Sequence, residues 1–206
     1  MTVVPPGDEV ILVRHAATSW SGVRYCGRSD PPLSQRGSET AERLAANLGA
    51  IAPVSRIVTS PLRRAVQTAE PIARVIGSPL VVDARWRETD FGEAEGLTFD
   101  EVQRRWPELA RSLLAGDADI DWPGGERHRD LVPRVESAWA DLVSDFGAGR
   151  AIVVSHGGPI MVVLRLVSPG ATPVSATLEP GSIVRLGRSA RDGWRPLHAV
   201  AATLGS

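Results

Sequence analysis

A chain of 206 residues with 43% hydrophobic content can bury one substantial core and is most simply a single domain, residues 1–206. A net charge of −1, with all 23 Lys-plus-Arg positions filled by arginine, gives no chain-wide field for nucleic acid or a membrane surface. The single cysteine, Cys26, excludes an internal disulfide.

The start, Met1 to Glu9, lacks the basic region and apolar core of a signal peptide. No segment reaches the about 20 apolar residues of a bilayer span. The expectation is a cytoplasmic protein with no membrane or nucleic-acid partner; oligomeric state leaves no signal in the sequence.

Val10-Ile11-Leu12-Val13 is a β-branched run ended by Arg14-His15, the pattern of a strand buried on both faces in a parallel sheet. A loop rich in Ser, Gly and Pro follows over residues 16–33. Ser34 then predicts the cap of a helix whose apolar face is Ala41, Leu44, Ala45 and Leu48, with Gly49 closing it. Ile57-Val58 is the next strand. Ser60 as N-cap and Pro61 as first helical residue predict a helix opening there, kinked at Pro71 and stopped by Gly77. Leu80-Val81-Val82 is a third strand.

From about 85 to 130 the pattern changes. Thr98-Phe99-Asp100-Glu101 is a capping box for a helix that Pro107 interrupts, and Asp117 to Glu126 is polar and turn-rich. This predicts a small helical excursion, or partial lid, over the carboxyl edge of the sheet. Leu131, Val135, Ala138, Leu142 and Phe146 stripe a long helix leading to the strand Ala151-Ile152-Val153-Val154. Residues 182–187 and 194–200 read as a closing antiparallel hairpin. Alternation of these signals predicts an α/β fold with a mostly parallel central sheet flanked by helices. Trp139 reads as core, whereas Trp20, Trp86 and Trp122 fall where a substrate mouth could lie.

Two of the four histidines, His15 and His156, directly end or follow apolar strands. Ligands of parallel sheets bind outside the carboxyl ends of the strands, where both histidines fall. Arg14 precedes one of them. Arg63 and Arg64 sit in the first turn of a predicted helix, against its dipole, an arrangement that makes sense if an anion sits there. Together these residues read as a phosphate pocket, with Arg63 the member better read as a solvated surface charge. There is no His-x-x-x-His, no carboxylate cluster beside either histidine and no partner for Cys26, so no metal site is expected. Glu88, Asp90, Glu93 and Glu95 crowd one loop, which composition alone reads as solvated.

The blocks Arg14-His15-Ala16-Ala17-Thr18, Ser60-Pro61-Leu62-Arg63-Arg64-Ala65-Val66-Gln67-Thr68-Ala69, Arg87-Glu88-Thr89-Asp90-Phe91-Gly92 and Ser155-His156-Gly157-Gly158 stand in one order along the chain. In that order the sequence resembles the histidine phosphatase superfamily, the phosphoglycerate-mutase-like clan, in its phosphatase branch. The resemblance implies a phosphoglycerate-mutase-like fold, His15 as the phosphorylated nucleophile, and Arg14, Arg64 and His156 as phosphate ligands. It also implies Glu88 as proton donor, with Ser21 and Gly157 as further substrate-binding positions. Ala16 and Ala17 replace the family's Gly-Glu, and Ser21 replaces an asparagine after Trp20, with shorter reach to a phosphate oxygen. Glu126 is read as a structural or rim residue. Arg127-His128-Arg129 is read as a surface helix start, with contact to a second substrate anion as the alternative.

The expected activity is that of a cytoplasmic, metal-independent phosphoric monoester hydrolase of histidine acid phosphatase type. It would need no cofactor and would act on a small-molecule phosphate ester through a phosphohistidine. The rivals are a cofactor-dependent phosphoglycerate mutase and a catalytically weak phospho-ligand binding or regulatory module.

Overall fold

The computed structural model describes residues 8–51, 53–117, 119–144, 149–169, 178–189 and 193–197. The six strands of its sheet are β1 (Glu9–Arg14), β2 (Arg56–Thr59), β3 (Leu80–Val82), β4 (Arg150–Ser155), β5 (Ile183–Ser189) and β6 (Gly193–Pro196). They lie in the order β3-β2-β4-β1-β5-β6. The first four are parallel to one another, while β5 and β6 close the sheet as the antiparallel hairpin expected from the sequence. The sheet is therefore mostly parallel, as predicted. Residues 198–200 of the predicted second hairpin strand, and Phe146, lie outside the described residues.

Helices α1 (Gln35–Gly49), α2 (Arg63–Ile76), α5 (His128–Ser144) and α6 (Gly157–Val167) cover the sheet. Strand periodicity divides the core between its two faces. Val10, Leu12 and Val153 pack with Leu131, Val135 and Ile160 of α5 and α6. Ile11, Val13, Ile152 and Val154 pack with Leu44 and Leu48 of α1 and Ala65 and Ile72 of α2. Both faces of β1 and β4 are thus covered, which explains their unbroken apolar runs. Among the described residues no helix is long and apolar enough to cross a membrane.

The excursion consists of α3 (Phe99–Arg105) and α4 (Pro107–Ala115), joined at Trp106. The capping box is present at Thr98 and Glu101, and Pro107 both ends one helix and starts the next. A satellite core of Ala94, Val102 and Trp122, with Tyr25, Phe91 and Trp106 against it, holds this region together. Two tryptophans are therefore corrected. Trp86 is 1% exposed within the main core and Trp122 is 8% exposed in the satellite core, so neither lines a mouth. Trp139 is core, as expected, while Trp20 is half-buried against Gly96.

The start of α2 is also corrected. Leu62 is extended and occupies the N-cap position without a side-chain cap, so the helix opens at Arg63 rather than Pro61. Ser60 stands before the cap position, and its hydroxyl accepts from the Leu62 amide at 3.2 Å and meets His156 at 2.8 Å. The Arg63 amide instead donates to Asp30 Oδ1 at 2.6 Å. The anion at this helix N-terminus is a carboxylate of the protein itself.

Candidate active site

Parallel pairing of β1 with β4 sets Arg14 opposite Ser155, so the next residue of each strand, His15 and His156, emerges at the same level. Their ring centroids lie 5.0 Å apart. His15 Nδ1 is 2.8 Å from the Ala16 carbonyl, which can only accept, so Nδ1 carries the proton. Arg64 Nε donates to His15 Nε2 at 3.2 Å, so Nε2 carries the lone pair. Burial, then Arg64 and Arg14, push the His15 pKa well below 6.5 and keep the ring neutral.

His156 is fully buried, with Nε2 2.8 Å from Ser60 Oγ. The same Ser60 hydroxyl accepts from the Leu62 amide at 3.2 Å, which fixes it beside the ring. Nδ1 has no partner among the described residues. Burial, then His15, Arg64 and Arg14, hold this ring well below 6.5 too. His156 is thus neutral in the surroundings that the protein alone provides.

Arg64 is buried completely. Besides His15, its guanidinium donates through Nη1 to the Ser29 carbonyl at 2.7 Å, and through Nη2 to those of Cys26 at 3.1 Å and Gly27 at 2.6 Å. One Nη1 N–H is left over by this count. Arg14 donates to the Leu178 carbonyl, while its buried Nε has no partner among the described residues. Burial lowers the Arg14 pKa, opposed by the nearby charges of Glu88 and Glu179. Arg63, by contrast, has an exposed side chain, as the sequence suggested.

Glu88 lies at the start of α6, where Oε1 accepts from the Thr89 amide at 3.0 Å and the Gly158 amide at 3.1 Å. A Cβ on Gly158 would come within 2.4 Å of that oxygen and 2.8 Å of Thr89 Oγ1, so the carboxylate reaches the helix only because residue 158 has no side chain. Gly157 is looser, with Glu88 Oε2 at 3.8 Å and Arg14 Cζ at 4.0 Å from an ideal Cβ. The sequence reading placed Gly157 in the site and passed over Gly158; the Gly-Gly pair was the available signal.

Ser21 lies in the loop that follows β1. Its Oγ accepts from the Thr18 amide at 2.9 Å and lies 3.4 Å from Thr18 Oγ1, closing a turn of the loop. Arg127, His128 and Arg129 sit at the start of α5. There Arg127 pairs with Asp130 at 3.5 Å, and His128 Nε2 with Asp119 at 3.2 Å. This is the surface helix start read from sequence. Among the described residues no group of three or more His, Cys, Asp or Glu could hold a metal ion.

A second residue near the site, besides Gly158, was missed. Arg134, on α5, donates to the carbonyls of Arg85 at 2.7 Å, Arg87 at 2.8 Å and Glu88 at 3.2 Å. It is itself paired with Glu126 at 2.6 Å. Burial would raise the Glu126 pKa, but the Arg134 bond and charge outweigh it and lower it. The pair clamps the backbone that carries Glu88. Its one sequence signal was position, three residues after Leu131 on the inward face of the helix.

A family model for the histidine phosphatase superfamily (branch 1) matches residues 10–198. Bifunctional protein Rv2228c of Mycobacterium tuberculosis is 39% identical over 158 residues, 76% of this chain and 43% of that protein. The chain therefore spans less than half the length of that relative. Phosphoglycerate mutase-like protein 4 of Arabidopsis thaliana is 32% identical over 173 residues, 82% of this chain and 75% of that protein. The solved structure of mycobacterial glucosyl-3-phosphoglycerate phosphatase Rv2419c superposes with a TM-score of 0.83 at 29% identity, covering 94% of this chain and 99% of that one.

Proposed function

Because the chain belongs to the histidine phosphatase superfamily, we propose that it hydrolyses a small phosphate monoester through a phosphohistidine at His15, as a metal- and cofactor-independent phosphatase. The observation that carries this reading is the tautomer of His15. Its lone pair faces the site under Arg64, with two buried nitrogens, Arg14 Nε and His156 Nδ1, left without partners among the described residues. Buried unpaired polar atoms are costly, and the oxygens of a phosphoryl group would accept from Arg14 and from His156 once that ring is protonated.

In the first step the Arg64 Nε–H passes from His15 Nε2 to a phosphoryl oxygen, and the freed Nε2 lone pair forms a bond to phosphorus as the ester P–O bond breaks. Glu88, as the carboxylic acid, gives its proton to the departing alkoxide; Oε1 accepts from the Thr89 and Gly158 amides, and Oε2 has only the longer 3.4 Å contact with Gly158. The new N–P bond leaves His15 cationic, and the negative phosphoryl group favours protonation of His156. In the second step the Glu88 carboxylate takes a proton from water as its oxygen bonds to phosphorus and the N–P bond breaks. Inorganic phosphate leaves, His15 returns to its neutral form and Glu88 to its acid. Arg14, Arg64 and His156 bind the phosphoryl oxygens throughout, and Gly157 lines the space between Glu88 and Arg14. The likeness to a glucosyl-3-phosphoglycerate phosphatase supports a phosphorylated metabolite as substrate.

Rapid quench with labelled substrate should trap an acid-labile, base-stable phosphoenzyme in the wild type and none in His15→Ala. Wild-type turnover in His15→Ala would overturn the mechanism. A phosphomonoester panel that includes phosphoglycerates, with and without a bisphosphoglycerate, separates hydrolysis from mutase activity.

A further inference from the structure

The carboxylate of Glu95 is surrounded by main-chain donors. Its Oε1 accepts from the amides of Arg28 at 2.7 Å and Phe91 at 3.1 Å, and its Oε2 from those of Ser29 at 3.0 Å and Gly27 at 3.2 Å. Three of these donors belong to the short segment whose carbonyls hold Arg64. The peptide units 26–27 and 27–28 each turn N–H toward the Glu95 carboxylate and C=O toward the Arg64 guanidinium. Ser29 does the same with its own amide and carbonyl.

Residues 26–29 are therefore a strap polarised between an anion and a cation, a setting in which each hydrogen bond strengthens the next. The strap lies tight on the loop that carries Glu95. A Cβ on Gly27 would meet Glu95 Oε1 and the Thr89 carbonyl, each at 2.3 Å.

We infer that Glu95 is a positioning residue for phosphoryl transfer, acting through the 26–29 strap to hold the Arg64 guanidinium against His15. The inference rests on the phosphohistidine reading above. In that reading Arg64 must meet the phosphoryl group from a fixed direction, and three of its N–H groups are spent on the strap. Glu95 itself touches neither His15 nor the reacting atoms in this account.

Glu95→Gln keeps the side chain's size, but whichever oxygen becomes NH₂ then faces two main-chain N–H donors. The expected result is a folded protein whose single-turnover phosphorylation of His15 slows by at least about tenfold, in the range of misplaced catalytic groups. Adding Arg64→Ala should make the double variant no slower than Arg64→Ala alone.

NMR titration of ring-labelled histidine in the substrate-free protein, read beside an amide spectrum that a general loosening of the site would also disturb, supplies a second measure. Removing an anion by its field alone lowers a nearby histidine pKa, whereas release of the Arg64 cation raises it, so His15 should titrate at higher pH in the variant. Losses that multiply in the double variant, or a His15 titration that stays in place or falls, overturn the inference. Should Glu95→Gln not fold, Glu95→Asp carries the same measurements with a shorter reach. A wild type that forms no phosphohistidine refutes the catalytic reading, while the titration still decides whether Glu95 holds Arg64.

Discussion

At His15 the Ala16 carbonyl takes the Nδ1 proton and Arg64 points a donor at Nε2, so the ring presents a lone pair and stays uncharged. A neutral imidazole can attack phosphorus but cannot supply the proton that an alkoxide needs on leaving. Glu88 is held within the same pocket for that task by the amides of Thr89 and Gly158. Glu88→Gln retains an oxygen for those two amides and removes the acid, so position is kept and chemistry lost. An alkyl phosphate should then phosphorylate His15 about 10²- to 10⁴-fold more slowly, the usual worth of general-acid catalysis. A nitrophenyl phosphate, whose phenolate leaves without a proton, should be slowed only slightly. Single-turnover burst rates are the quantity to compare, since the steady state includes phosphohistidine hydrolysis. Equal slowing of both esters would make Glu88 a binding residue and return Asp90 and Glu126 to consideration.

Among the elements, those buried by simple periodicity were legible. The β-branched runs at Val10–Val13 and Ala151–Val154, the α1 face at Ala41, Leu44, Ala45 and Leu48, and the Thr98–Glu101 capping box all stand where the sequence put them. The α2 start was misread because Ser60-Pro61 has the local chemistry of a helix cap. The tertiary structure uses that hydroxyl for His156 and supplies Asp30, distant in sequence, to the Arg63 amide. Trp86 and Trp122 were misplaced because both lie in irregular segments, where no periodicity distinguishes a buried ring from an exposed one.

Glu126 reads from the sequence as structural, and it is, but its partner Arg134 and the part played by Gly158 are set by main-chain atoms distant in sequence, which local pattern does not reveal. Gly158 tests that point directly. In Gly158→Ala the new methyl must displace the Glu88 carboxylate, given the 2.4 Å approach, whereas in Gly157→Ala it meets ordinary contact distances. The first substitution should reduce the burst rate with an alkyl ester by about 10²-fold, the cost of a roughly 1 Å misplacement. The second should have a much smaller effect. Equal effects would show that helix-start geometry, rather than room for Glu88, sets the requirement.

For the molecule as a whole, the electrostatics that prepare the site also set its response to acid. His15 and His156 are buried, and burial first, then the nearby cations Arg64 and Arg14, hold both pKa values well below 6.5, with His15 adding to the effect at His156. In the unfolded chain each returns to about 6.5. Below that pH the unfolded state binds protons that the native state refuses, so stability is present above about 6.5 and falls as the pH drops. The slope is at most about 1.4 kcal/mol per pH unit for each histidine, or about 2.7 kcal/mol for the two together.

The carboxylates act in a different window. Burial would raise the Glu9 pKa, but bonds to Arg185 and Arg150 lower it below 4.5, so its contribution is lost only in stronger acid. Thermal unfolding between pH 7.5 and 5 should therefore report the histidines. With at most about 4 kcal/mol lost by pH 5, and about 2–4 °C per kcal/mol for a chain of this size, Tm should fall by about ten degrees across that range. Replacing His15 by Asn removes one of the two refused protons and should reduce the slope by about half, whatever its effect on Tm at neutral pH. Inorganic phosphate should oppose the fall, because the dianion gives His156 a reason to accept the proton. A Tm independent of pH over this window would mean that the two rings take up protons in the native protein as readily as in the unfolded chain, and the site would not be holding His15 neutral.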